Sequence, residues 1–354
     1  MADTLFETMT QQAAFDGHPA KLVKLQNNNG MSVTFMDIGA TWLSCILPVE
    51  GEQREVLLGV STMADFEKHS TYLGATVGRY ANRIALGKFE IAGQNYQVKT
   101  NQAGNTLHGG PEGFDKRRWD IVEQGENSVC FSLVSGDGDQ GFPGKLNVSL
   151  YYQLTYDNQV VIRYNATTDK ATPINLTNHA YFNLSGAEFG VDCKGNTLCI
   201  NADSYLPTDE LGIPFGELAA VDASSFDFRQ PKEIAQDFLA DAQQKAAKGY
   251  DHSFLLNDNC KQGECAAEVT TADKCITLKL FTDKPAVQLY TGNWMAGTPN
   301  RTGGEYADYA GIALETQFLP DSPNHPEWDQ PCSILNAGEE YIYRTSYQFI
   351  VNNK

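Results

Sequence analysis

Residues 21–48 read KLVKLQNNNGMSVTFMDIGATWLSCILP. The run divides into strand, Asn/Gly turn, strand, Gly bend and strand, because apolar residues recur in short runs and turn formers stand between them. The same grammar continues outward. Residues 88–98, KFEIAGQNYQV, read as a hairpin around Ala92-Gly93. Residues 127–136 and 145–167 repeat the pattern, the second with a turn at Asp157-Asn158. Residues 274–293 and 340–352 carry it to the C-terminal end. Many strands separated by turn signals imply an all-β fold, a large antiparallel β-sandwich with a few short helices. Two helices are expected. One lies in STMADFEKHS (61–70), capped at Ser61 or Thr62. The other lies in QPKEIAQDFLADAQQKAAKG (230–249), where Pro231 suits a first helical position and Gly249 a stop, with Ile234, Phe238, Leu239 and Ala242 on one face. Stretches 205–230 and 296–310 read as loops, and no linker or repeat divides the chain. A single domain over 1–354 is expected.

The 354 residues are 42% hydrophobic and 20% charged, an ordinary globular balance that allows a large core. The formal net charge is −18, which repels phosphate backbones and anionic lipid. No basic stripe is present, so nucleic acid is not an expected partner, and no run approaches the ~20 apolar residues of a membrane span. The start, MADTLFETMTQQ, has no basic segment followed by an apolar one, and a cytoplasmic location is expected. None of the eight cysteines forms a C-x-x-C pair, so free thiols are expected.

Chemistry concentrates in a few places. In NLTNHAYFNLSG (175–186), one parity holds Asn175, Thr177, His179, Tyr181, Asn183 and Ser185, all able to hydrogen-bond. Such a face, without Lys or Glu, suits neutral polyhydroxyl groups and is expected to form a cleft wall. Glu315 interrupts an apolar strand, either facing outward or entering a dry cleft where burial would raise its pKa into the range of a general base. Asp251 is either a turn carboxylate or a fixed acceptor for sugar hydroxyls. Arg83, beside Asn82, is either a surface ion-pair partner or a planar hydroxyl clamp. His108 sits among glycines that let backbone approach a ligand. No metal is expected, because the histidines show no H-E-x-x-H or H-x-H spacing. No P-loop, dinucleotide fingerprint or G-x-S-x-G elbow appears, so no cofactor is expected.

Five motifs in order carry a resemblance: GRYANRI (78–84), NTLHGGPEGFDKRRWD (105–120), NLTNHAYFNLSG (175–186), GYDHSF (249–254) and LETQFLPDSPNH (314–325). Together they resemble the aldose 1-epimerases, or galactose mutarotases. The resemblance implies a β-sandwich of the galactose mutarotase (supersandwich) type, an open sugar cleft, and a monomer or homodimer. It carries the general base onto Glu315, the general acid onto His179 and a second site histidine onto His108. Sugar contacts fall on Asn82, Arg83, Tyr181 and Asp251, with Gln288 as a further cleft residue.

Mutarotation removes a proton from the C1 hydroxyl and gives one to the ring oxygen, so one base and one acid suffice. The expected resting pair is an ionised Glu315 beside a protonated His179, each charge favouring the other. Three rival readings compete. A glycoside hydrolase would use Asp251 and Glu315 as its carboxylate pair. A carbohydrate-binding protein would not need the Glu315/His179 pair. A hexose-phosphate epimerase would need extra cations, for which Arg117 and Arg118 are the nearest candidates.

Overall fold

The computed structural model describes residues 2–352. The opening stretch folds as read: Leu22–Gln26, Ser32–Met36 and Thr41–Val49 are consecutive antiparallel strands, and Glu52–Glu55 completes a four-stranded sheet. Its register slips at one point, where Thr34 faces Ser44 but Phe35 faces Trp42. Leu43 is therefore the extra residue of a bulge. This is why Trp42 and Cys45, three residues apart, both reach the main core while Leu43 packs into a second cluster. The hairpins at Ala92-Gly93 and Asp157-Asn158 also form, joining Lys88–Ile91 to Gln94–Gln97 and Leu146–Leu154 to Gln159–Thr168. Ala92, Gly93 and Asn158 take positive φ there, as tight hairpin turns require.

A nine-stranded antiparallel sheet runs, in spatial order, through Asp120–Gln124, Ser128–Ser135, Leu146–Leu154, Gln159–Thr168, Glu340–Val351, Ile276–Thr282, Ala267–Thr270, Thr197–Ile200 and Lys232–Glu233. A six-stranded sheet runs through Tyr181–Phe182, Ile312–Gln317, Ala286–Tyr290, Asp251–Leu255, Ser204–Leu206 and Ala219–Ala220. One hydrophobic core joins both to the four-stranded sheet. Trp42 packs against Phe182, Tyr347 and Phe349, one contact to the six-stranded sheet and two to the nine-stranded sheet. The Tyr347 hydroxyl donates to the Leu314 carbonyl at 2.9 Å, satisfying a polar atom inside the apolar layer. Truncating a fully buried side chain such as Trp42 to alanine costs about 3–5 kcal/mol.

The register of the six-stranded sheet positions the site. Residues directly opposite in an antiparallel pair project to the same face. Tyr181 opposes Ala313, Tyr290 opposes both Ala313 and Asp251, and Gln288 opposes both Glu315 and Ser253. Tyr181, Glu315, Gln288, Tyr290 and Asp251 therefore share one face. The alternate residues Ile312, Leu314, Val287 and Leu289 fill the core.

Three local expectations need correction. Residues 230–249 do not form one helix. Lys232–Glu233 pairs as a strand with Thr197–Ile200, Ile234–Asp237 is a 3₁₀ turn, and only Ala242–Ala247 is α-helical. Leu239 at φ 58° breaks the run, and Asp241 starts the helix afresh by accepting from the Gln243 N–H at 2.7 Å. Lys248, not Gly249, is the left-handed C-cap. A helix over Ala2–Thr10 forms that no sequence signal had marked, seated by Leu5 and Met9. The polar face of 175–186 is not one continuous strand: Thr177–Asn178 and Tyr181–Phe182 pair with different partners. The expected helix at Met63–Lys68 is present, with the Thr62 hydroxyl accepting from the Asp65 N–H. No disulfide joins any two cysteines among the described residues.

Candidate active site

Asn82, Arg83, His108, His179, Tyr181, Asp251 and Glu315 surround a single open cavity of about 330 Å³. They come from five separate stretches of chain, so the fold rather than the local sequence assembles them. Of the polar parity in 175–186, only His179 and Tyr181 line it. Asn175 instead braces the backbone, donating to the Ala81 carbonyl and accepting from the Phe318 N–H. Asn183 donates to the carbonyls of Val191 and Ala310.

His179 Nε2 lies 3.5 Å from Glu315 Oε1. Both side chains are buried, 4% and 2% exposed, so each prefers its uncharged form. Burial lowers the His179 pKa to about 4. Burial first, then the Asp251 charge, raises Glu315 well above the ordinary carboxyl range, with Arg83 opposing. Burial thus weighs against the expected resting ion pair, favouring the protonated form of Glu315 and the neutral form of His179. Desolvation is the leading cause of both shifts. Glu315 Oε2 and His179 Nδ1 are sealed from solvent without a hydrogen-bond partner, leaving the pair free to respond to a ligand.

His108 is fixed by a two-way clamp. Its Nδ1 accepts from the Asn82 N–H at 3.1 Å, and its own N–H donates to the Asn82 carbonyl at 3.1 Å. The accepting Nδ1 puts the ring proton on Nε2. Burial, then His179 and Arg83, hold His108 well below its usual pKa, so it is a neutral donor. The glycines around it have a steric cause: a Cβ at Gly109 would lie 1.9 Å from the Gly78 carbonyl oxygen. Asn82 and His108 both take left-handed backbone, as does Tyr72 on the facing loop. Such residues cost about 1–3 kcal/mol each and persist where the surroundings fix them.

Arg83 donates through Nε to Gln102 at 2.8 Å, and one terminal nitrogen sits 4.0 Å from Asp251. Asp251 also accepts from Gln288 Nε2 at 2.7 Å. Gln288 itself does not line the cavity. It lies beneath, opposite Glu315 in the sheet, and acts on the site through Asp251. The other arginine of GRYANRI, Arg79, is fully enclosed by carbonyl and hydroxyl acceptors of residues 135–144 and Thr172. Arg117 pairs with Asp139, and Arg118 with Asp16 and Asp37, so neither reaches the cleft. Arg83 is the only Lys or Arg among the described lining residues.

Sequence reading missed Tyr72, Gln102, Tyr290 and Trp294, which also line the cavity. Tyr72 packs on His108 and His179, with ring centroids at 4.6 and 5.7 Å, and Tyr290 packs on Tyr181 at 5.9 Å. Aromatic residues spread over loops and strand ends carry no periodic signal by which to find them. The ligating atoms of His108, His179 and Glu315 all lie within 4.8 Å of one another, close enough to hold a cation. The arrangement as a whole offers one proton donor–acceptor pair, one neutral imidazole donor, one guanidinium and one carboxylate, between aromatic walls. It suits a neutral, hydroxyl-rich ring.

A family model described as aldose 1-epimerase matches residues 21–348. The chain is 54% identical to the aldose 1-epimerase of Haemophilus influenzae over 344 residues, covering 96% of this chain and all of that one. It is 51% identical to the aldose 1-epimerase of Escherichia coli over 342 residues, covering 96% and 98%. Among solved structures, the galactose 1-epimerase of Lactobacillus acidophilus superposes with a TM-score of 0.83 at 30% identity, covering 96% of each chain. The fold is the β-sandwich of these epimerases.

Proposed function

The chain belongs to the aldose 1-epimerase family and is an isomerase of aldose anomers, and on that footing we propose how its own residues perform the reaction. The substrate is a free aldohexose such as galactose or glucose. Glu315 takes the proton from the C1 hydroxyl, His179 gives one to the ring oxygen, and the ring opens to the aldehyde. Rotation about C1–C2 presents the other carbonyl face, and closure reverses the proton roles.

The observation that carries this reading is the buried Glu315–His179 pair at 3.5 Å. Burial makes Glu315 a stronger base and His179 a stronger acid than either would be in water. The ring-opened complex has Glu315 protonated and His179 neutral, the uncharged forms that burial favours for each. Sugar hydroxyls that donate to the Glu315 carboxylate draw the pair toward carboxylate and imidazolium, the state that begins ring opening. The protein then stabilises both ends of the step through one transferable proton. Neutral His108 donates to the sugar without competing for that proton, while Asn82, Arg83, Tyr181 and Asp251 hold the ring by its hydroxyls.

A phosphorylated substrate fits poorly, since Arg83 is the one cation in the described lining and its charge faces Asp251. The test is the optical rotation of freshly dissolved α-D-galactose with and without the protein, in the presence of chelator. Acceleration toward the same final rotation is expected. An unchanged rate with folded protein would overturn the reading.

A further inference from the structure

Behind Tyr72 lies a second cavity of about 290 Å³, sharing only Ser70 and Tyr72 with the sugar cleft. Phe15, Ile38, Phe66 and Ala75 give it mostly apolar walls. Two polar groups face it that the sugar chemistry does not use, Asp115 and His69.

Asp115 is 8% exposed, yet its carboxylate accepts a hydrogen bond from no other described residue. Oδ1 is sealed from solvent without a partner, and the residue's own backbone N–H is its one hydrogen-bond neighbour. The comparably buried Asp37 and Asp321 differ: Asp37 accepts from the Lys21 N–H and Arg118, and Asp321 from the Ala85 N–H and Asn324. His69 Nδ1 accepts from the Thr71 N–H, which leaves its proton on Nε2, itself buried without an acceptor. Burial holds this imidazole neutral, its pKa lowered to about 4. At the rim stand Glu67 and Lys116; the Lys116 ammonium donates to the Pro111 carbonyl, and its charge and that of Arg117 act on Asp115 from outside the chamber. Of the two carboxylates that line the cavity, Asp115 is the buried one.

A buried carboxylate without a partner is costly, and an apolar chamber around one is complementary to a compact organic cation. The rings of Phe66 and Tyr72 add faces on which an ammonium group gains further attraction. We propose that this cavity is a binding site for a small organic ammonium ion, with Asp115 as its counter-ion. A bound cation would touch the back of Tyr72, whose ring packs on both cleft histidines, so the two cavities share a wall.

The test is isothermal titration of the whole chain with benzylammonium chloride and, as the neutral counterpart, benzyl alcohol, at pH 8. Burial pushes the Asp115 carboxyl up to about 6, so it is ionised there. Saturable binding of the cation is expected, with the alcohol at least tenfold weaker. Asp115→Asn should abolish that preference while galactose mutarotation, measured in parallel, continues. On the wild type alone, affinity for the cation should fall at least tenfold between pH 8 and pH 5. Equal binding of both probes, cation binding that survives Asp115→Asn, no binding at all, or pH-insensitive affinity would each overturn the assignment.

Discussion

Glu315→Gln should do two opposite things, and the pair of outcomes separates a catalytic carboxyl from a structural one. The amide keeps the shape but cannot take a proton, so general-base catalysis is lost. That contribution is about 10²–10⁴-fold, or roughly 2.7–5.4 kcal/mol of barrier. Stability should move the other way. Burial raises the folded-state pKa of Glu315, while in the unfolded chain it titrates at about 4.3. A carboxyl raised in this way adds full stability below the unfolded pKa, and that stability is lost as pH rises toward the folded value. The loss grows from pH 4 to pH 7, because the unfolded carboxyl ionises over that range while burial resists ionisation in the folded chain. Glu315→Gln should therefore raise Tm at pH 7. Near pH 4 it should change Tm little. His179 titrates in both proteins and largely cancels in the difference. The assays are polarimetry on α-D-galactose and thermal unfolding by circular dichroism at pH 4, 5.5 and 7. A variant that loses activity together with Tm, by an amount independent of pH, would refute the argument and make Glu315 a structural group.

His179→Asn should lower kcat by about 10²–10⁴-fold with a smaller change in KM, since its proton moves only in the transition state; a pure KM effect in the same polarimetric assay would make it a binding residue. Arg83→Ala should worsen both kcat and KM, because Arg83 is tied to Gln102 and Asp251 and positions the ring, and wild-type kinetics would place it outside the working site. Gln288→Leu removes the 2.7 Å hydrogen bond to Asp251, a charge-assisted bond of about 1.5–3 kcal/mol, and should raise KM about tenfold or more with kcat less affected; unchanged KM would remove Gln288 from the support of Asp251. The pH profile of kcat/KM should be set by the one-proton state of the pair, with an acid limb near the His179 value of about 4 and an alkaline limb where the raised Glu315 ionises. An acid limb near 6.5 would show that burial does not govern His179.

What the sequence disclosed follows from what acts locally. Alternation, hairpin turns and a threonine cap are decided by neighbours a few residues apart, and those elements formed where their residues placed them. The helix expected at 230–249 failed because the pattern of apolar residues could not reveal a strand partner 36 residues away, Thr197 opposite Glu233. The wall of polar residues at 175–186 failed more instructively. The sequence correctly marked hydrogen-bonding residues at every second position, but a buried amide can serve a backbone as well as a ligand. Asn175 and Asn183 satisfy stranded carbonyls, whereas His179 and Tyr181 come to the cleft because the chain turns between short strands there. The proton assignment was illegible for the same reason. Whether a Glu–His pair rests charged or neutral depends on desolvation, to which Tyr72 and Tyr290 contribute from two distant segments. The residue types that name the chemistry can be read in the chain, but their electrostatics belong to the assembled cavity.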